Sequence, residues 1–187
     1  GGAKLLTVGG KNGRLDLAAA SEVLSRHRDV HSTRVRALSV TQATEVGTVY
    51  SPDELEAIVD FAAHHSLGVQ MDGARFANAV ASLSCRPKEI SWQRGVNVLS
   101  LGGTKNGLAS GELVIFFDRE LANEFDYRVK QGGQLASKTR FLAAPWTALL
   151  ANDVWLKNAR HSNEMARRLE EKLRAAGWTL AFPREAN

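Results

Sequence analysis

The chain has one cysteine, Cys85, so no intrachain disulfide can form and no multi-cysteine metal site can be built. A thiol this isolated reads as a packing residue rather than a nucleophile. So little cysteine fits a reducing compartment, and the cytoplasm is the expected location. Long apolar runs are missing too. None approaches the roughly 18 residues a membrane-spanning helix needs, so no membrane partner is expected. No signal peptide is visible. The chain opens Gly1-Gly2-Ala3-Lys4 rather than on methionine, and its native start is expected to lie upstream. Charge of one sign is scarce: 24 basic residues against 20 acidic leave a net of +4. The basic residues are scattered, as in Arg34 and Arg36, Arg86 and Lys88, or Arg167 and Arg168. No basic stripe interleaved with aromatics emerges, which argues against a nucleic-acid partner. Internal repeats, low-complexity tracts and long Pro/Gly linkers are likewise lacking.

What is present is an ordinary globular composition, 44% hydrophobic and 24% charged over 187 residues. That length suits one domain with a sizeable core, or one domain and the start of another. Strand and helix patterns alternate. Residues 35–41 (Val-Arg-Ala-Leu-Ser-Val-Thr) predict a buried strand. Ser51-Pro52-Asp53-Glu54 predicts a helix start, with Ser51 as cap, Pro52 in the first turn and Glu54 closing a capping box. Leu55, Ile58, Val59 and Ala62 follow at the spacing of one helical face. Leu67 to Met71 predicts the next strand, and Phe76, Ala79, Val80 and Leu83 another amphipathic helix. Val96 to Leu101 and Leu113 to Phe117 are further short apolar runs. This alternation implies an α/β fold with a largely parallel sheet. Beyond about residue 120 the pattern turns helical. Met165, Leu169, Leu173 and Ala176 form one stripe, with Gly177 as the stop. Trp178 to Phe182 predicts a last strand, one that lacks an obvious partner, so the C-terminus is expected to be truncated.

Two clusters carry chemistry. Asp72 follows a strand, and Arg75 lies three residues on, which lets both side chains point into one crevice at the carboxyl end of the sheet, where open α/β sheets bind ligands. The competing reading is that Asp72 caps the next helix and Arg75 is a surface charge. The second cluster is the loop Gly102-Gly103-Thr104-Lys105-Asn106-Gly107 between two apolar runs. Glycines allow a tight turn and close approach of a ligand. A lysine held there can form a Schiff base with a carbonyl cofactor, or can simply sit on a surface turn. A nucleotide phosphate loop is excluded, because that pattern places the lysine directly after a glycine and before Ser or Thr. Here Thr104 precedes it and Asn106 follows. A carboxylate and a lysine are the two groups that pyridoxal phosphate demands, the first for its ring nitrogen and the second for its aldehyde.

Four blocks then occur in order: Thr41-Gln42-Ala43-Thr44-Glu45-Val46-Gly47-Thr48-Val49-Tyr50; Met71-Asp72-Gly73-Ala74-Arg75-Phe76-Ala77-Asn78-Ala79; Leu99 through Gly107; and Gln134-Leu135-Ala136-Ser137-Lys138-Thr139-Arg140-Phe141, ending at Ala143-Ala144-Pro145-Trp146. Together they resemble the low-specificity L-threonine aldolase family over essentially the whole chain. The resemblance implies a type I pyridoxal-phosphate-transferase-like fold. Residues 1–150 would be part of the large cofactor-binding domain, and 151–187 the start of a small C-terminal one. It implies aldol cleavage of L-threonine and related β-hydroxy-α-amino acids to glycine and an aldehyde, through a pyridoxal 5'-phosphate Schiff base. Lys105 would be the catalytic, Schiff-base lysine, next to Thr104 at the cofactor. Asp72 would pair with the pyridinium nitrogen. Arg75 would help hold the substrate carboxylate and orient the cofactor. Lys138 and Arg140 would lie near the cofactor phosphate, that of a neighbouring subunit in a homodimer or homotetramer with shared sites. Their competing reading is a solvated helix start.

The departures are also informative. The family's glycine-threonine phosphate loop, its ring-stacking histidine and its second carboxylate-binding arginine have no counterpart here. None of His27, His31, His64, His65 or His161 falls in a matching block, and His64-His65 lacks the further ligands a metal site needs. Two alternatives stay open: another type I lyase or aminotransferase activity, or an inactive fragment that only packs against partner chains, with Leu6, Val8, Trp178 and Phe182 as its apolar surface.

Overall fold

The computed structural model describes residues 2–27 and 29–187. Helix α1 spans Leu17–Ser25, and Asp16 caps it by accepting the N–H groups of Ala18 and Ala19. Strand β1 (Ala37–Thr41), helix α2 (Pro52–His64), strand β2 (Gly68–Gly73), helix α3 (Phe76–Leu83), strand β3 (Val98–Gly102) and strand β4 (Glu112–Phe116) follow. Helices α4 (Phe125–Gln131), α5 (Arg140–Leu150) and α6 (Val154–Ala175) complete the fold.

The start of α2 shows why local sequence decides a boundary. Ser51 Oγ accepts the Glu54 N–H at 3.2 Å, and Glu54 Oε2 accepts the Ser51 N–H at 2.7 Å. Two otherwise orphaned donors are satisfied reciprocally, with Pro52 in the first turn.

The four strands form one sheet in the order β1-β2-β3-β4. β1, β2 and β3 run parallel, and β4 runs antiparallel to β3. The reversal has a simple cause. Parallel neighbours need a long crossover, and the loop from Gly102 to Glu112 is too short to make one. The largely parallel sheet read from the sequence therefore carries one antiparallel outer strand, and the glycine-bordered lysine loop is the connection that turns the chain round.

Alternation along the strands sorts the two faces. Leu38, Val40, Val69, Met71 and Leu99 are buried, in one cluster with Leu55, Ile58 and Ala62 of α2 and Phe76, Ala79 and Val80 of α3. The opposite face carries Ser39, Gln70 and Ser100. Ser39 Oγ donates to Gln70 Oε1, and Gln70 Nε2 donates to Ser100 Oγ. The strands are thus buried on one face and polar on the other, rather than apolar throughout.

The C-terminal part departs from expectation. Trp178 to Phe182 is not a strand: no strand edge among the described residues pairs with it, and Trp178 and Phe182 are 67% and 46% exposed. A single extended segment without a ladder has unmet backbone groups and gains nothing from β geometry. Gly177 does stop α6, at φ +86°, with the Trp178 N–H donated to Leu173 O at 2.9 Å. The predicted stripe on α6 is not the packed face, since Met165 and Leu169 are exposed. Instead Asn163 meets α3: its amide donates to Asn78 O and accepts from the Asn78 amide, each at 3.0 Å. Of the apolar surface expected at the chain's two ends, Leu6 and Val8 are half-buried and only Trp178 and Phe182 are exposed.

Candidate active site

Asp72 lies near the carboxyl end of β2, level with Thr41 of β1 and Ser100 of β3. Its Oδ1 accepts the Ala74 N–H at 2.9 Å. Arg75 occupies the cap position of α3, which receives no side-chain capping bond. Asp72 therefore shapes the turn before the helix and does not cap the helix. The Asp72 and Arg75 carbonyls accept the N–H groups of Gln42 (2.8 Å) and Ala43 (3.5 Å). These bonds knit the end of β2 to the turn that follows β1.

That turn, residues 42–50, is built from the inside. Gln42 is fully buried; its Nε2 donates to Tyr50 O at 2.9 Å and its Oε1 accepts the Tyr50 N–H at 3.0 Å. The buried Thr44 and Thr48 hydroxyls lie 2.6 Å apart, and Thr48 Oγ1 donates to Asn12 O at 2.6 Å. Gly47, at φ +81°, offers its carbonyl to the N–H groups of Glu185 and Ala186, both at 2.9 Å. The Glu185 carboxylate accepts the Val49 N–H at 2.7 Å and pairs with Arg14. Buried polar groups are costly unless paired, and these are paired with one another, so the turn has one well-defined shape.

Lys105 sits in a single 3-10 turn, Thr104–Asn106. Asn106 anchors it from below: it is buried, its Nδ2 donates to Trp155 O at 2.9 Å, and its carbonyl accepts from Asn158 Nδ2 at 2.8 Å. Gly103 is also fixed, because a Cβ there would lie 2.7 Å from the Trp146 ring. With both neighbours held, Thr104 and Lys105 are left exposed.

Arg75 and Lys105 line one cavity of about 600 Å³, together with Glu45 and with Leu169 and Leu173 of α6. The Arg75 guanidinium pairs with Glu45 at 3.3 Å. Asp72 does not line this cavity. Its charge and that of Lys105 nevertheless meet at a residue the sequence reading passed over. Glu112 is cross-strand partner to Gly102, and a Cβ on Gly102 would lie 3.1 Å from Glu112 Oε2 and 2.8 Å from the Ala74 Cα. Burial of its carboxyl end, and then the Asp72 charge, push Glu112 above the usual carboxylate range, while Lys105 pulls it down. One clue to Glu112 was in the sequence: an acid opening the strand right after the lysine loop. Glu45 lies in the Thr41–Tyr50 stretch, but nothing in the spacing joins it to Arg75.

Lys138 and Arg140 are not brought to this cavity. Both are exposed at the start of α5, Lys138 at φ +56° and Arg140 with its guanidinium 4.8 Å from the Phe141 ring centre. Among the described residues, no group of three or more His, Cys, Asp or Glu could hold a metal ion, and no helix is long and apolar enough to cross a membrane.

An α/β sheet that sets an acid and an amine at neighbouring strand ends, with a guanidinium lining the same cavity as the amine, has the architecture of the type I pyridoxal-phosphate enzymes. Comparison with known proteins makes this specific. The model of the beta-eliminating lyase family matches residues 1–187, and the chain belongs to that family. It is 52% identical over 187 residues to the low specificity L-threonine aldolase of Pseudomonas aeruginosa, and 50% identical to that of another Pseudomonas species. Each match covers 100% of this chain and 54% of the relative, so the chain spans about half the length of the curated relatives it matches. A threonine aldolase of Leishmania major superposes with a TM-score of 0.93 at 31% identity, over 100% of this chain and 54% of that one.

Proposed function

We propose that this chain is the lysine-bearing part of a pyridoxal-phosphate-dependent aldehyde-lyase that cleaves L-threonine and related β-hydroxy-α-amino acids to glycine and an aldehyde. The observation that carries this reading is the meeting of Lys105 and Arg75 in one cavity, with Asp72 near the carboxyl end of the strand paired to the one that leads into the Lys105 loop. The relatives' names give the substrate class.

The donor set fits the cofactor group by group. Lys105, exposed at the rim, is the amine that would hold its aldehyde carbon. Asp72, half-buried on the polar face of the sheet, is the acid that would keep a proton on its ring nitrogen. When bound there, pyridoxal phosphate supplies an electron-withdrawing ring that stabilises the charge left on the substrate α-carbon. Arg75 presents a planar fork matched to the substrate carboxylate. Thr104 contributes beside Lys105. Lys138 and Arg140 lie outside this cavity, which suits service to the phosphate of a neighbouring subunit in a dimer or tetramer. Residues 1–150 then belong to the large domain and 151–187 begin the smaller one, and the protein acts in the cytoplasm.

The test is borohydride reduction of the protein with bound cofactor, followed by peptide mapping. The label is expected on Lys105; a label on Lys11, Lys130 or Lys138 instead would overturn the assignment. Asp72→Asn should keep the label but lower turnover about a hundredfold, equivalent to about 3 kcal/mol of transition-state stabilisation. Products separate the nearest alternative. Glycine and an aldehyde mark the aldolase, whereas ammonia and a keto acid mark β-elimination.

A further inference from the structure

Five charged residues line the cavity: Glu45, Arg75, Lys105, Glu170 and Arg184. Glu170 is occupied by Arg174 of α6 and by Arg184 of the segment that follows it. Glu45 is therefore the carboxylate side chain of the cavity lining left to pair with Arg75, and it does so. The two side chains are unequally placed, Arg75 at 25% exposure and Glu45 at 71%. The guanidinium is set into the wall while the carboxylate comes to it from the solvent side.

The placement of Glu45 is not that of a loose surface acid. Its backbone belongs to the turn fixed by Gln42, Thr44 and Thr48, with the Glu185–Ala186 segment clasped on Gly47. Ala43, two residues before it, donates to the Arg75 carbonyl. The same bonds that fix this turn thus hold the Glu45 and Arg75 backbones together, and only side-chain rotation is left to make or break the ion pair. The contact is a single one, Arg75 Nη1 to Glu45 Oε1 at 3.3 Å, so it occupies one donor of the fork that an incoming carboxylate would need for bidentate binding.

We propose that Glu45 is a specificity-determining residue. Its carboxylate holds Arg75 in the ligand-free cleft, yields to the single carboxylate of an incoming α-amino acid, and repels an amino acid that carries a second one. The inference rests on Arg75 being the group that takes the substrate carboxylate, and it narrows the substrate class to neutral amino acids. Half-exposed ion pairs are weak, so the latch is easily displaced, and its removal should change anion access about two- to fivefold rather than by orders of magnitude.

The experiment reads Arg75 directly, in the full-length protein freed of cofactor so that threonine is not consumed. Phenylglyoxal modification is followed by peptide mapping for the wild type, Glu45→Gln and Glu45→Asp. Arg75 should react about two- to fivefold faster in Glu45→Gln. L-Threonine should protect Arg75 at lower concentration than L-aspartate in the wild type, and that preference should shrink in Glu45→Gln. Glu45→Asp keeps the charge and should keep the preference. Equal Arg75 rates, an unchanged threonine-to-aspartate ratio, or no protection by either amino acid would overturn the proposal, as would Glu45→Asp behaving like Glu45→Gln. The readout is independent of the reduction experiment above. A borohydride label away from Lys105 would sink the proposed function without altering the Arg75 rates. Equal Arg75 rates would sink the Glu45 role while leaving the label in place.

Discussion

Replacing Gln42 by leucine tests whether the turn beside the cleft is held by hydrogen bonds or by shape alone. The two side chains are similar in size, so the change removes polarity with little change in volume. It strips partners from the Tyr50 N–H, now at 3.0 Å from Gln42 Oε1, and from the Tyr50 carbonyl, now at 2.9 Å from Nε2. Gln42 and Tyr50 are both buried, so water cannot replace what is lost. An unmet buried polar group costs about 1–3 kcal/mol, so two cost about 2–6 kcal/mol. Leucine's extra apolar burial offsets about 1 kcal/mol of this. The expected net loss is about 1–5 kcal/mol, which at a urea slope of about 2 kcal/mol per molar lowers the unfolding midpoint by about 0.5–2.5 M. Ser39→Ala is the control. Ser39 also bonds through its side chain, to Gln70, but on the exposed face, and its loss should stay within about 0.5 kcal/mol. A Gln42→Leu midpoint no lower than that of Ser39→Ala would refute the claim that buried hydrogen bonds define the turn.

Two pH predictions follow from single carboxylates. Glu112 is held above the usual carboxylate range by burial and by Asp72, so the fold binds its proton more tightly than the unfolded chain does. Its contribution is favourable below the unfolded pKa and is lost as pH rises through the higher folded one, so Glu112→Gln should stabilise the protein at neutral pH and make no difference below about pH 4. Urea midpoints at the two pH values check this, and an equal gain at both would refute it. Glu164 is the opposite case: hydrogen bonds from Arg167 and then Arg168 bring it from 4.5 down to about 2. Its contribution is present above pH 4.5 and lost as pH falls through about 2, so the acid-unfolding curves of Glu164→Gln and the parent should converge across that window.

Where the signal was local, the sequence was a good guide. The capping box at Ser51 and Glu54, the apolar face of α2 and the glycine stop of α6 depend on neighbours within a few residues, and each stands as read. Strand ends were less legible. β2 runs on past Met71 through Asp72 to Gly73, because Thr41 and Ser100 lie alongside and extend the ladder. The direction of β4 followed from loop length, which apolar runs do not reveal. Trp178 to Phe182 had a strand's composition, but a strand also needs a neighbour. Asp72, Arg75 and Lys105 stood out as candidates because the residue types were unusual for their positions. Glu45 and Glu112 were not, because each gains meaning only from a partner in another element: Arg75 across the cleft, and Gly102 across the strand pair.

The clasp at Gly47 has a kinetic consequence. It joins Arg14 to Val49, 35 residues apart, and Val49 to Glu185, 136 residues apart. Loop-closure entropy rises only with the logarithm of length, so the longer closure costs just about 1 kcal/mol more than the shorter. The time needed to find such a partner is another matter, since contacts distant in sequence form late. During synthesis the segments that carry Asp72 and Lys105 emerge well before Glu185 exists. The clasp that fixes the turn bearing Glu45 therefore closes only once Glu185 has been made.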